Sequence, residues 1–159
     1  MPQPARLRLS PLFTIYLVSF FFTLHAAIPV YINSSFLATL ISEKYVGLLY
    51  GGASLLTIFA LILIPKLLRF IGDYFTTLLF IILEISAIIG IAASESTTLT
   101  VTLFILSSIL ISLIAFDFDL IVEGFSKNAL TGSIRGLYLT SANVAWVIAP
   151  FLASVLLGG

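Results

Sequence analysis

Charged side chains are scarce in this sequence. Only 9% of its 159 residues are Asp, Glu, Lys or Arg, whereas 60% are hydrophobic, and the mean hydropathy is +1.23. Soluble domains carry roughly 25% charged residues, because their surface faces water. This composition therefore excludes a water-soluble globule and predicts a protein whose outer surface faces the lipid bilayer.

Cysteine is absent, and histidine occurs once. The first absence excludes disulfides and thiolate metal sites, and a single histidine does not make a zinc site by itself. The formal net charge is zero, which argues against nucleic acid as a partner. Arg6 and Arg8 precede an apolar run that is too long for a cleavable signal peptide. We expect no cofactor, no metal and no enzymatic activity.

Long apolar runs are what the sequence does contain. A membrane helix needs roughly 20 mostly apolar residues, and five segments meet this requirement. They predict an all-α integral membrane domain with spans at about 11–33, 46–65, 74–93, 98–122 and 137–157. Ser, Gly and Pro mark the breaks between spans. The half-apolar stretch 36–41 in the first break predicts a short helix that lies at the membrane interface.

The basic residues collect on one side of these spans. Only Lys44 falls on the opposite side from the N-terminus. The positive-inside rule then predicts a multi-pass protein of the cell membrane with a cytoplasmic N-terminus. Gly158 and Gly159 follow the last span without a flanking charge, from which we expect a fragment of a longer chain. The residues on the cytoplasmic side are Arg6, Arg8, Lys66, Arg69, Lys127 and Arg135.

Ionisable residues inside the spans are the first candidates for function, because a charge at the bilayer centre costs roughly 2.5–3.5 kcal/mol on insertion scales. Glu84 lies midway along the third span and His25 lies deep in the first. Glu84 is either a carboxylate that binds a proton or substrate, or a protonated side chain that hydrogen-bonds a neighbouring helix. His25 either lines a cavity or bonds a backbone carbonyl.

An acidic cluster, Asp117, Asp119 and Glu123, lies in the last part of the fourth span. Asp119 and Glu123 are four residues apart and share a helix face, whereas Asp117 points elsewhere. With Lys127 one turn further on, a ladder of ion pairs at the membrane edge is the favoured interpretation. Asp119 is the proton or substrate candidate of this cluster. A magnesium site, as in membrane-embedded transferases, is the alternative, although the sequence contains no second acidic cluster to complete it.

Small residues recur at four-residue spacing in two spans. Close backbone approach at such residues is a main way in which membrane helices associate. Gly47 and Gly51 open the second span. The fifth span has a longer ridge, and Pro150 is expected to kink or loosen the helix near its outer end. The ridge consists of Ser141, Ala145, Ala149 and Ala153.

Two segments carry the motifs of a known family, one around Arg69 and Gly72 and the other ending at Ala149 and Pro150. They resemble the N-terminal half of a major facilitator superfamily transporter, in a divergent bacterial form. The stretch 46–74 resembles its second helix and the short loop that follows, in which Arg69 and Gly72 match the basic, glycine-containing signature. The stretch 116–150 resembles the end of helix four, its loop and helix five, with Ala149 and Pro150 at the family's glycine–proline element. Asp73 and Tyr74 replace the usual basic pair, and the fourth span lacks an arginine, so the drug/proton antiporter type is not indicated.

The resemblance implies a permease with twelve helices, in which two six-helix halves rock about a midplane substrate site. The chain would supply helices one to five, and its partners would be the missing second half, the lipid bilayer, a small solute and a coupling proton. In the family, helices one and four line the cavity, which makes His25 a candidate lining residue. Two other hypotheses remain. The chain is a non-transporting assembly protein that oligomerises through the ridge, or it is a membrane-embedded metal-dependent transferase that uses the acidic cluster.

Overall fold

The computed structural model describes residues 11–125 and 131–156, which form five α-helices. All five are long and apolar enough to cross a membrane, and they carry large apolar side chains on their outer faces. Leu48, for example, is 72% exposed and Ile62 is 65% exposed. This is the pattern of a multi-pass membrane protein. The helices are α1 (Pro11–Leu40), α2 (Glu43–Ile71), α3 (Asp73–Ala93), α4 (Thr97–Phe125) and α5 (Thr131–Leu156).

The helices that differ most from the predicted spans are α1, α2 and α5. The predicted interfacial helix at 36–41 is wrong, because α1 continues through Ser34 and Ser35 to Leu40. Its 30 residues span about 45 Å, more than the roughly 30 Å of a hydrocarbon core. Pro65 does not end α2, which continues to Ile71. Hydropathy identifies the apolar segment that would lie in the hydrocarbon core. The helix itself can continue beyond that segment into the interface. For the same reason α5 begins at Thr131 rather than at 137.

The turn between α2 and α3 consists of one residue, Gly72, whose φ is 88° and ψ is 154°. This backbone conformation is essentially restricted to glycine. The Gly72 N–H donates to the Leu68 carbonyl at 2.8 Å, which closes the last turn of α2. Arg69 in that turn and Asp73 in the first turn of α3 have the charge signs that the two helix dipoles favour.

The helices divide into two compact units. The central unit, Val30–Ile121, contains the end of α1, α2, α3 and most of α4. A cluster of buried apolar side chains belongs to it, formed by Leu37, Val46 and Phe104, against which Ile41, Leu49 and Ile91 pack. The cluster joins the end of α1 and the start of α2 to α4.

The terminal unit comprises Met1–Pro29 and Val122–Gly159, so its described part contains most of α1, the end of α4 and α5. The Tyr16 hydroxyl of α1 donates to the Ile134 carbonyl of α5 at 3.3 Å. Small side chains are buried on both helices, among them Ser19 and Ala27 on α1 and Ala145 on α5. Small side chains let helix backbones approach closely in a membrane.

Candidate functional site

Two buried carboxyl groups lie between α3 and α4 in the central unit. Glu84 on α3 is 3% exposed, and its Oε1 accepts a hydrogen bond of 2.8 Å from the Ser107 hydroxyl on α4. One partner of Glu84 on the facing helix is therefore a neutral hydroxyl group. This geometry agrees with a Glu84 that hydrogen-bonds a neighbouring helix, and it also leaves the carboxyl group able to bind a proton.

Asp117 on α4 forms the second polar contact between these helices. Its side chain is fully buried, and its Oδ2 is hydrogen-bonded to the hydroxyl oxygen of Thr77 on α3. Among the described residues, Asp117 Oδ1 has no hydrogen-bond partner. An ionised Asp117 would therefore be poorly compensated at this position.

The Thr77 hydroxyl group has two acceptors within reach. Thr77 Oγ1 contacts both the Asp73 carbonyl oxygen, at 2.9 Å, and Asp117 Oδ2. A hydroxyl group has a single proton to donate, but it has lone pairs that accept. Thr77 can therefore donate to Asp117 when the carboxyl group is ionised. When the carboxyl group is a neutral acid, Thr77 can donate to the Asp73 carbonyl and accept from Asp117.

Both contacts belong to one antiparallel helix pair. Thr77 and Glu84 are two turns apart on α3, and their partners Asp117 and Ser107 follow in reverse order along α4. The two helices also approach closely near Gly90 of α3, where an added Cβ would lie 2.7 Å from a methyl group of Leu103. We call this pair of contacts, Thr77–Asp117 and Glu84–Ser107, the carboxyl seam. It positions two proton-binding groups at different depths of the bundle.

Of the candidates predicted from sequence, Glu84 lies in the carboxyl seam, whereas His25 and Asp119 lie elsewhere. His25 is exposed on α1 in the terminal unit, with its ring 6.5 Å from that of Phe22. Asp119 is half-buried, and its position two residues after Asp117 turns it to another face of α4. A role of these two residues in proton or substrate binding stays a prediction.

Sequence reasoning missed the functional potential of Asp117. It was counted in one acidic cluster with Asp119 and Glu123 and was assigned only a direction different from theirs, yet it is fully buried, whereas Glu123 is exposed. A signal was present, because Asp117 lies three residues after Ile114 and seven after Leu110, both of which are buried. This spacing places Asp117 on the inward face of the helix. Lys127, the expected end of the ladder, lies outside the described residues.

The small residues predicted to pack helices have two different environments. Ala145, Ala149 and Ala153 are almost completely buried. Ser141 is half-buried and donates its hydroxyl proton to the Tyr138 carbonyl at 2.7 Å. Pro150 lies within α5, which continues to Leu156. The ridge is therefore covered within the monomer itself, which removes it as a free surface for self-association.

Gly47 and Gly51 are exposed, and no described atom lies within 4 Å of the position that a Cβ would occupy on either residue. It stays a prediction that these two glycines pack against another helix, and that helix would belong to a partner. Arg69 is exposed in the last turn of α2, and Gly72 forms the turn that follows. The two signature residues thus lie together at one end of the α2–α3 pair.

The acidic residues of α4 do not converge on a common point. Asp117 faces Thr77 on α3, and Glu123 is exposed on a different part of the helix. Within residues 11–125 and 131–156, no three His, Asp or Glu side chains are close enough together to hold a metal ion. The geometry therefore gives no support to the transferase hypothesis. Comparison with protein-family models, curated proteins and solved structures finds no match to the chain.

Proposed function

We propose that this chain is part of a secondary transporter that moves a small solute across the cell membrane by alternating access. Its five helices would be part of a six-helix half of the major facilitator type, with the N-terminus in the cytoplasm. Support comes from the five apolar helices, from the basic residues on one side of them, and from the resemblance of the segments around Gly72 and Pro150.

The carboxyl seam is the observation that carries this proposal. Ionisable side chains in membrane helices are costly, and they commonly mark proton or substrate pathways. Apolar side chains of similar size would join α3 and α4 without that cost. A function that uses the protons of Asp117 and Glu84 accounts for their position, and coupling of a proton to solute movement is such a function.

In this proposal Asp117 is the primary proton-binding group and Glu84 the second. With α3 and α4 in contact, the surrounding apolar side chains favour the neutral acid, because Asp117 is fully buried and its Oδ1 lacks a hydrogen-bond partner among the described residues. A rearrangement that brings water to Asp117 favours the carboxylate, because water solvates the charge. Alternate exposure of the site to the two sides of the membrane then transfers the proton together with the solute.

Transport assays with the complete gene product in proteoliposomes test the proposal. A panel of radiolabelled sugars, polyols and amino acids is offered with and without an imposed pH gradient. The wild-type protein should accumulate at least one of these solutes only when the gradient is present. Asp117→Asn should equilibrate that solute without accumulating it, because an amide keeps the hydrogen bond to Thr77 but has no acidic proton to release. Glu84→Gln should weaken accumulation.

The matched control is Glu95→Gln, which removes an exposed carboxylate between α3 and α4 and should leave accumulation unchanged. Infrared spectroscopy gives a readout that needs no substrate: the carbonyl band of a protonated carboxylic acid should be lost in Asp117→Asn. Accumulation by Asp117→Asn that equals the wild type at every pH would contradict coupling through this residue. A wild-type protein that accumulates no solute of the panel would contradict the transport function.

A non-transporting assembly protein is the second candidate function. In this candidate the two glycines of α2, rather than the ridge of α5, would contact the partner. The space around Gly47 and Gly51 is open, so another helix has access to their backbone. Ala145 and Ala149 are already covered. An assembly role therefore depends on α2.

A further inference from the structure

A groove of about 330 Å³ runs between α2 and α4 in the central unit. Ligand pockets in proteins cover about 300–1,000 Å³, so this groove suits a small solute. Five of its seven lining residues carry hydroxyl groups, and the other two, Ala53 and Ile58, are apolar. The seven are Tyr50, Ala53, Ser54, Thr57 and Ile58 on α2, and Ser108 and Ser112 on α4.

The groove lies near the middle of both helices. Thr57 is midway between the ends of α2 at Glu43 and Ile71, and Ser112 is one residue past the middle of α4. The Tyr50 ring, which lines the groove, packs edge-on against the Phe104 ring with centroids 5.6 Å apart. In helices that cross the bilayer, this position corresponds to the midplane, where secondary transporters bind their substrates.

Four of the five hydroxyl groups of the groove donate their protons to backbone carbonyl groups. Ser54 donates to the Tyr50 carbonyl at 2.8 Å, and Thr57 donates to the Ala53 carbonyl at 2.9 Å. Ser108 and Ser112 likewise donate to carbonyl groups four residues back in α4, at 2.9 and 3.1 Å. Each hydroxyl oxygen keeps lone pairs that accept hydrogen bonds. The groove therefore presents a set of acceptors to a ligand that brings its own donors.

Charge is absent from the lining of the groove. An anion such as a phosphate ester finds no basic side chain there, and a strongly charged cation finds no carboxylate. Burial of an uncompensated charge in a membrane is expensive. The lining thus favours a neutral ligand, and the apolar ring of Tyr50 provides a surface for its carbon atoms.

We propose that the groove between α2 and α4 binds a small neutral solute with several hydroxyl or amide donors, such as a polyol or urea. This inference rests on the proposed transport function, for which it names the substrate class. Ser108 and Thr57 are the central specificity residues, because they line the groove from opposite helices and each hydroxyl oxygen keeps lone pairs that accept hydrogen bonds.

Equilibrium binding to the full gene product in nanodiscs, without any ion gradient, tests the proposal. The probes are radiolabelled glycerol, mannitol and urea, with mannitol 1-phosphate as the charged counterpart of mannitol. At least one neutral probe should bind, and mannitol 1-phosphate should bind at least tenfold more weakly than mannitol. Ser108→Ala and Thr57→Val should each weaken binding of the neutral probe about 2- to 10-fold, because each removes one acceptor.

Ser86→Ala and Thr102→Val are the matched controls. Their hydroxyl groups make the same hydrogen bond to a carbonyl four residues back, at 2.8 Å in both cases, but they lie outside the groove. Binding should be unchanged in both. Ser112→Leu, which fills the groove, should abolish binding, and thermal unfolding of each variant shows whether the fold is retained.

Several outcomes would overturn the proposal: failure of every neutral probe to bind, equal binding of mannitol and its phosphate, or groove variants that bind as well as the controls. The transport function fails separately. A neutral solute that binds in the groove but is never accumulated leaves the binding site intact and contradicts transport. A solute that accumulates equally in wild type and Ser112→Leu supports transport and contradicts this site.

Discussion

The α3–α4 interface and the buried face of α5 show two different ways of packing helices that cross a membrane. Between α3 and α4, hydroxyl groups meet the carboxyl groups of Glu84 and Asp117. The buried face of α5 contains Ala145, Ala149 and Ala153, whose side chains have no polar atom. In lipid the hydrophobic effect does not draw helices together, so close contact or hydrogen bonding must do so.

The difference in side-chain chemistry between these two interfaces distinguishes a packing role from a functional role. An alanine face contributes close contact and can serve no other purpose in chemistry. A carboxyl group that faces a hydroxyl contributes a hydrogen bond, but its cost in the membrane exceeds what packing alone would require. Substitutions in the alanine face should therefore change stability alone, whereas substitutions in the carboxyl seam should change stability slightly and proton binding strongly.

The largest effect on stability is expected for Ala149→Leu. Ala149 is fully buried, and extra methylene groups in a well-packed site cost roughly 1–3 kcal/mol. We expect a loss of that size in the free energy of unfolding, measured by detergent-induced denaturation in micelles. Ala92→Leu, at an exposed alanine of α3, is the matched control and should change stability by less than about 0.5 kcal/mol.

Self-association measured on the same two variants sharpens the test. The monomer fraction should be equal in both when each is folded. Wild-type stability in Ala149→Leu together with a loss of oligomers would show that the face is covered by a second copy rather than by the chain itself.

An intermediate effect is expected for Ser107→Ala, which removes the hydrogen bond to Glu84. Interhelical hydrogen bonds in membrane proteins average about 0.6 kcal/mol, with a maximum near 1.7 kcal/mol. The free energy of unfolding should fall by an amount in that range. Ser86→Ala is the control, because its hydroxyl group is bonded only within its own helix, to the Ile82 carbonyl. A double-mutant cycle with Glu84→Ala should give a coupling energy of about 0.6 kcal/mol, and a value of zero would contradict the contact.

The sequence predicted the features that depend on apolar content, and it missed features that depend on a neighbouring helix. Five helices follow from five apolar runs, and α3 was predicted to within one residue, since Gly72 and Ser94 flank it. The extension of α2 past Pro65 was missed, because a proline weakens a helix without always ending it. The burial of Asp117 depends on the position of α3, which apolar content alone does not reveal. The hydroxyl groups of the groove are spread over two helices whose alignment requires the structure.

The smallest effect on the free energy of unfolding is expected for Gly90→Ala, because a gain in helix preference is opposed by a steric contact. Alanine in place of glycine favours a helix by roughly 0.5–1 kcal/mol. At Gly90, however, the added Cβ would lie 2.7 Å from Leu103 Cδ1, so the end of a flexible side chain has to move. The free energy of unfolding should therefore stay within about 0.5 kcal/mol of the wild type.

Gly51→Ala provides the comparison, because nothing lies within 4 Å of its added Cβ. Here only the preference of alanine over glycine in a helix contributes, and a gain of about 0.5–1 kcal/mol in the free energy of unfolding is expected. In a Leu103→Ala background, Gly90→Ala should produce the same gain, since the opposing methyl group is gone. If Gly90→Ala stabilises the wild-type protein as much as Gly51→Ala does, α3 and α4 are not in close contact at the level of Gly90 and Leu103.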